Sequence, residues 1–472
     1  MYIKTSRLGL NMRGRILLFV MACVGLYAQG ISMGANVGAI GPQSLTDSCY
    51  AHAASGNLTT DDTTACQAAI NAVGATGGGG TVIFYNNYIA GVLTYPVGHG
   101  WITLQQNKAL KLGSTLTING FIRLVGEGGP SQGVQFQREP PTPIYCPSAP
   151  SDCILVTGTS ANSIANISIS TLANQNGIHA YNGANLDIYN IGVTSIGTSS
   201  ASIPLLIDSF FWLTGSKLAF NTGNGQGNPV VINNTVMSGP YTSGLIKITD
   251  STMSGRCLSI ESTTPASQGV MGVYYFDWVV LESSRGGGFL CIDDTTTTVY
   301  NIRLSAILMA DVPSSTLTGN ISSGVSTIPV GNFTNNAIPD LPVVFQIDAE
   351  QLSCSAGAPA GNYTCSRGYN GTTPATHSTG TAIALLLPLI HIISNGMFNV
   401  NNVQVENSTI FSSSVSDGQI NNLTVNGNLT YNAAPPASQV VGGQKLTGLP
   451  TSCSGLATGT IWNNSGALGI CP

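Results

Sequence analysis

The chain has 472 residues, a formal net charge of −5 and only 7% charged residues, against roughly 25% in ordinary globular proteins. That leaves no basic patch for nucleic acid, and no stretch after the N-terminus reaches the roughly 18 uninterrupted apolar residues of a membrane span. With 57 glycines and a polar surface left to Ser, Thr and Asn, the composition favours many short strands joined by turns over a helical enzyme.

Residues 1–28 read as a secretion signal. Lys4, Arg7, Arg13 and Arg15 form the basic region, Ile16 to Tyr27 the apolar region, and Leu26-Tyr-Ala28 the cleavage site. Val20-Met-Ala-Cys23 resembles a lipoprotein box, but the apolar run continues past the cysteine where such a box would end it. Removing the signal takes away four basic residues and no acid, moving the net charge from −5 to −9. Ten cysteines remain and fall into near pairs, Cys49/Cys66, Cys146/Cys153, Cys257/Cys291, Cys354/Cys365 and Cys453/Cys471. An even count in an exported chain predicts disulfides, with sequential pairing the simplest of the connectivities that the count allows. A metal reading has no CxxC and no histidine spacing to rest on.

The next informative stretch is Thr60 to Phe84. Thr60 or Asp61 can accept an orphan backbone N–H at a helix start, with Asp62 at the positive end of the helix dipole. Cys66, Ala69, Ile70 and Val73 share one helical face, Gly77 to Gly80 turn the chain, and Thr81-Val-Ile-Phe84 begins a strand. The elements Asp61-Asp62-Thr63, Gln67-Ala68-Ala69-Ile70, Gly79-Gly80-Thr81-Val82 and Phe84 resemble the N-terminal signature of the pectate-lyase-like superfamily. It comprises right-handed parallel β-helices that include polygalacturonases, rhamnogalacturonases and tailspikes. The match spans about 25 residues and departs from the family upstream, at Ala53-Ala-Ser-Gly-Asn57, and downstream, at Tyr85-Asn-Asn-Tyr88. It implies an all-β, right-handed parallel β-helix with a short N-terminal capping helix, and is silent on activity.

Further along, a phrase of Asn, apolar, any, apolar recurs at Asn166, Asn185, Asn190, Asn301, Asn402, Asn422 and Asn428. Alternation marks short strands with one inward face, and Asn suits the turn before each because it tolerates left-handed backbone. Short strands without crossover helices predict a solenoid, with a β-sandwich as the alternative. The Pro-rich passage Glu139 to Pro150 reads as a loop closed by Cys146/Cys153.

Residues 314–384 differ in character. Phe345-Gln-Ile-Asp-Ala-Glu350 and Arg367-Gly-Tyr-Asn-Gly-Thr-Thr-Pro-Ala-Thr-His377 resemble a small β module of phage tail and phage-derived surface proteins. Glu350, Arg367 and His377 could form a catalytic set, but a structural cluster is the stronger reading. After Phe398 the Asn/Thr/Val-rich sequence resembles the trimeric stems of tail fibres, which predicts a homotrimer. The expected organisation is a signal peptide 1–28, a parallel β-helix 45–313, the inserted module 314–384, further coils or a trimeric stem 385–434, and a tail 435–472.

No GxSxG, HExxH, Walker loop or dinucleotide fingerprint is present, and Gly98-His99-Gly100 lies too early in the chain to match its polygalacturonase counterpart. The candidates are carboxylates beside aromatics, in Gly272-Val-Tyr-Tyr-Phe-Asp-Trp-Val-Val-Leu-Glu282. Asp250, Asp277 and Glu282 are the expected catalytic groups, and Trp212, Tyr274, Trp278 and Arg285 the expected substrate-binding ones. Asp208 and Asp293-Asp294 are lesser candidates. Hydrolysis of a glycosidic bond needs one protonated and one ionised carboxyl group. A lyase would need a Lys or Arg base, Arg285 or Lys247, beside Ca²⁺, which is otherwise not expected; no other cofactor is implied. Two readings stay open. The first is an exported hydrolase or lyase of uronic-acid or related polysaccharides; the second is a non-catalytic, tailspike-like surface or appendage protein.

Overall fold

The computed structural model describes residues 45–470 except 58, 76–78, 85–91, 95–102, 106–109, 127–141, 148–150, 173–174, 196–201, 223–226, 234–240, 263–269, 283–286, 295–297, 311, 335–338, 340, 359, 393–399, 411–415, 417–419, 427–429, 432–460 and 465–466. The signal at 1–28 and Cys453/Cys471 therefore lie outside the described residues, as does Arg285.

Parallel pairing from coil to coil defines the architecture. Val82 lies on Leu124, Leu124 on Ile164, Ile164 on Ile188 and Ile188 on Gly215. The same column continues through Ile248, Phe276, Leu304, Val405 and Val425. A neighbouring column runs Leu186, Leu213, Ile246, Tyr274, Ile302, Val403, Leu423. Each strand sends alternate side chains inward, so the coils stack like on like around one apolar interior. Full burial of one such Leu or Ile is worth about 2 kcal/mol. The chain is an all-β parallel β-helix.

Bends between flat faces are made by left-handed residues. In the strand Val270–Glu282, Tyr274 and Phe276 point inward while Tyr275 and Asp277 point outward. A positive φ of 54° at Trp278 breaks the alternation, so Asp277 and Trp278 both face solvent before Val279 and Leu281 turn inward again. Asn166, Asn190, Lys217, Asp250, Ala306 and Asn407 have positive φ at the equivalent places in other coils. Of the Asn phrases, those at 166, 190, 301, 402 and 422 begin on left-handed residues; Asn185 does not, and Asn428 lies outside the described residues. The side chains link along the stack, Asn190 Nδ2 donating to Asn166 Oδ1 at 2.9 Å, Asn402 to Asn301 at 3.3 Å and Asn422 to Asn402 at 3.2 Å.

At the N-terminal end the helix Thr63–Gly74 buries Cys66, Ala69, Ile70 and Val73. Asp61 Oδ1 accepts from the Thr63 N–H at 3.0 Å and the Gly113 N–H at 2.9 Å. Asp62 is the N-cap residue, at the positive end of the helix dipole, but its side chain makes no cap hydrogen bond. Its carboxylate is buried and turned back, accepting from Ser55 N (2.6 Å), Ser55 Oγ (2.9 Å) and Gly56 N (3.1 Å). Gln67 explains its place in the signature: its amide donates to Thr117 O at 3.0 Å and accepts from Thr117 N at 2.9 Å, pairing both backbone polar groups of one residue on a strand edge.

Ser314–Thr316, Thr327–Pro329, Val343–Ile347, Glu350–Ala356, Asn362–Ser366 and Ala382–Leu386 form a separate six-stranded antiparallel sheet. Its core stacks Phe345 on Tyr363 at 5.0 Å and Phe333 on Phe345 at 5.8 Å. Leu385 and Leu386 belong to this sheet rather than to the returning coil. The β-helix resumes across the insertion without losing register, since Ile390 lies on Leu290 and Val403 on Ile302. Among the described residues, four disulfides join the cysteines in sequential order, Cys49–Cys66, Cys146–Cys153, Cys257–Cys291 and Cys354–Cys365. Among the described residues no helix is long and apolar enough to cross a membrane.

Candidate functional site

Strand register assembles one outer face from residues far apart in sequence. Asp187, Thr214, Lys247, Tyr275, Arg303, Gln404 and Thr424 form one outward column. Beside it run Tyr189, Ser216, Thr249, Asp277, Ser305 and Glu406. The corner column of left-handed residues, Lys217, Asp250, Trp278 and Ala306, borders the second of these.

Polar side chains on this face pair with one another along the stack. Lys247 Nζ sits 5.3 Å from the centre of the Tyr275 ring and the Arg303 guanidinium 5.0 Å from it, a double cation–π arrangement. Tyr275 Oη lies 3.4 Å from Asp277 Oδ2. Burial and the Asp277 carboxylate push the Tyr275 phenol above its ordinary value. Arg303 Nη2 donates to Glu406 Oε2 at 3.1 Å, and Gln404 bonds the other oxygen of Glu406. Burial alone would weaken the Arg303 charge, but the Glu406 bond and the Tyr275 and Asp277 neighbours hold its pKa above the usual arginine value. Lys217 Nζ donates to Tyr189 Oη at 2.6 Å with its charge 4.9 Å from the ring centre, and Thr214 bonds Asp187.

The structure brings some of the expected residues together and separates others. Asp277, Asp250 and Trp278 meet at the corner, Asp250 one coil before Trp278. Glu282 lies beyond the bend, beside Ser254 and Ala310 on the adjoining face. The bend at Trp278 falls between it and Asp277, which sets the two carboxylates on different faces. Trp212 opens an outward column with Leu245 and Val273 at the edge of the same face. Tyr274 corrects the expectation: it is 0% exposed, packed between Ile246 and Ile302 in the core, and its ring cannot meet a surface ligand. Tyr275 is the outward tyrosine. Asp208 is buried, bonded by Ser209 Oγ at 3.0 Å, and the side chains of Asp293 and Asp294 lie outside the described residues.

Sequence reading missed Arg303, Gln404 and Glu406, which fall on the coils flanking the 101-residue step between Asn301 and Asn402. A signal existed. In four of the seven Asn phrases the third residue, Asp187, Arg303, Gln404 or Thr424, falls in one outward column, whereas Ser168 and Gly192, from the phrases at Asn166 and Asn190, pair in another. Asp277 and Glu406 share a column two coils apart, about 9.6 Å along the axis, near the upper limit for inverting glycosidases.

The Glu350 cluster is a different kind of site. Glu350, 1% exposed, receives Arg367 Nε and Nη2 at 2.6 Å each, Ala375 N at 3.0 Å, Gly368 N at 3.2 Å, and lies 2.8 Å from His377 Nε2. Burial would raise its pKa, but Arg367, these N–H groups and His377 pull it down to about 2. Arg367 Nη1 also reaches Ser322 O and Val325 O, so the cluster ties three loops of the inserted sheet together. Every polar atom of Glu350 is engaged from within, which is how a structural knot is built.

No protein-family model matches this chain, and no curated protein is significantly similar to it in sequence. Solved structures offer likeness of fold. The surface adhesin PfbA of Streptococcus pneumoniae aligns at 10% identity over 91% of this chain and 98% of that one, with a TM-score of 0.41. The A-module of mannuronan C-5 epimerase AlgE4 of Azotobacter vinelandii aligns at 11% identity over 85% and 100%, with a TM-score of 0.33. Tailspike protein 3 of bacteriophage CBA120 aligns at 8% identity over 95% and 74%, with a TM-score of 0.32. The parallel register described above establishes the fold by itself.

Proposed function

We propose that this chain is an exported polysaccharide-binding β-helix protein whose binding surface is the outer face around Trp278. One observation carries the reading. Trp278 is 71% exposed and is held there by left-handed backbone, a conformation that a bulky residue adopts at a cost. A large aromatic kept in water at a strained corner has no packing role, and aromatic faces are the surfaces on which sugar rings stack. The flat ladder beside it spans several coils, matching an extended polymer. Four disulfides support an oxidising, extracellular location. The appendage form of this reading adds a homotrimer, measured by light scattering.

The test is affinity electrophoresis of the full chain in a panel of polysaccharides, with reducing ends and ultraviolet absorbance followed in parallel. Retardation that Trp278→Ala abolishes, without new reducing ends or absorbance, is the expected outcome. Unchanged binding by Trp278→Ala would refute the placement of the site. The spacing of Asp277 and Glu406 favours one second reading, a hydrolase. It requires new reducing ends that disappear in Asp277→Asn; new absorbance instead would indicate a lyase.

A further inference from the structure

A second large aromatic is held open on the same face. Tyr189 is 44% exposed, and its outward column leads through Ser216 and Thr249 to Asp277, the sequence neighbour of Trp278. Three coil steps separate the two aromatics, about 14 Å along the axis. Ser216 and Thr249, the positions between, are short and partly exposed, so nothing bulky in this column rises between the rings. Phe211 is exposed too, but it stands at the opposite edge of the face with its ring over the Gly244 backbone.

Lys217 accounts for the posture of Tyr189. It occupies a left-handed bend, φ 55°, where Asn would cost less. From the coil after Tyr189 its side chain reaches back, and Nζ donates to Tyr189 Oη at 2.6 Å. With Nζ 4.9 Å from the ring centre, the ammonium stands off the hydroxyl end of the ring and leaves the ring faces uncovered. The bond restrains the ring without burying it. A ring already fixed gives up less side-chain freedom when a ligand stacks on it.

Building on the polysaccharide-binding reading, we infer that Tyr189, positioned by Lys217, is a second stacking platform, so that the site takes four consecutive sugars of a chain lying along the solenoid axis. A pyranose unit of an extended polysaccharide is about as long as one coil is thick. A sugar stacked on Trp278 therefore places the third unit beyond it over Tyr189. The two middle sugars lie above Ser216 and Thr249, whose hydroxyls can both donate to and accept from sugar hydroxyls.

The experiment is calorimetric titration of the full chain with cello-, xylo-, manno- and galacturono-oligosaccharides of two to six units. In the series that binds, affinity should rise about tenfold from the trisaccharide to the tetrasaccharide, as the second ring is reached. Tyr189→Ala should erase that step and leave the trisaccharide as it was, whereas Trp278→Ala should weaken every length. Lys217→Asn, which suits the bend, and Tyr189→Phe, which keeps the ring, should each shrink the step about threefold. A wild type without the step, a Tyr189→Ala chain that keeps it, or polymers bound with no oligosaccharide bound overturns the inference and leaves the Trp278 surface standing. An unchanged step in both Lys217→Asn and Tyr189→Phe overturns the positioning role of Lys217. No binding of any polymer or oligosaccharide overturns both readings.

Discussion

Replacing Glu350 by Gln tests whether the buried cluster of the inserted sheet is architecture or chemistry. The carboxyl pKa falls from its ordinary 4.5 to about 2 in the folded chain, and at about 1.4 kcal/mol per pH unit this is worth about 3 kcal/mol of stability. Because the folded value is the lower one, that stability is fully present above pH 4.5 and is lost as pH falls towards 2. Glu350→Gln removes it at every pH and leaves Arg367, whose side chain is 7% exposed, without its counter-charge, a change that costs about 3–5 kcal/mol in buried pairs. Amide exchange is the suitable assay, since Val343–Ile347 and Ala382–Leu386 report the inserted sheet while Ile246 and Phe276 report the coils. Exchange at neutral pH should rise by two orders of magnitude or more in the inserted sheet and stay unchanged in the coils, and the acid sensitivity of the sheet between pH 4.5 and 2 should flatten. Unaltered exchange would refute the structural account. Lost polysaccharide binding with the sheet intact would move Glu350 into the functional machinery.

Trp278→Asn should gain about 1 kcal/mol in chemical denaturation, because Asn relieves the left-handed penalty and the indole gives up little burial; a loss of comparable size would show that the indole packs. Asp62→Ala should cost about 2–3 kcal/mol by leaving the Ser55 and Gly56 N–H groups without their buried acceptor, read from the thermal midpoint. Asn402→Ala should cost about 1–2 kcal/mol, from the bonds to Asn301 and Asn422 and from the bend itself, and a neutral result would deny the Asn ladder any energetic role. Cys257→Ser with Cys291→Ser should lower the denaturation midpoint while leaving polysaccharide binding intact, the bridge lying inside the coils.

The fold was legible because its rules are local. One helical stripe, a Gly-rich turn and a recurring Asn phrase each state a constraint within ten residues, and stacking adds no constraint that contradicts them. The hydrogen-bond partners of Asp62 were not legible, because a carboxylate at a helix start can accept from the first turn or from the preceding loop, and only the path of residues 55–56 decides between them. Tyr274 escaped for a related reason: in Tyr274-Tyr275-Phe276 the period of two is masked by three aromatics in a row, and either phase fits until the register is known. Ile246 below and Ile302 above settle it.

The outer face was only half legible because it is a property of columns, and a column is spread over the whole chain. Tyr275 and Asp277 are visible together in sequence, whereas Arg303 and Glu406, which complete their environment, are separated by an inserted sheet. Had the phrases at Asn185, Asn301, Asn402 and Asn422 been aligned with one another, their third residues, Asp187, Arg303, Gln404 and Thr424, would have formed a single polar row. Where the phrase is absent, at Lys217, Asp250, Trp278 and Ala306, the bend persists without the residue that suits it. A solenoid gains stability by repeating one solution at every coil. Coils that abandon the solution while keeping the geometry bear the cost of the bend for some other reason, and at Trp278 the cost buys an aromatic surface facing water.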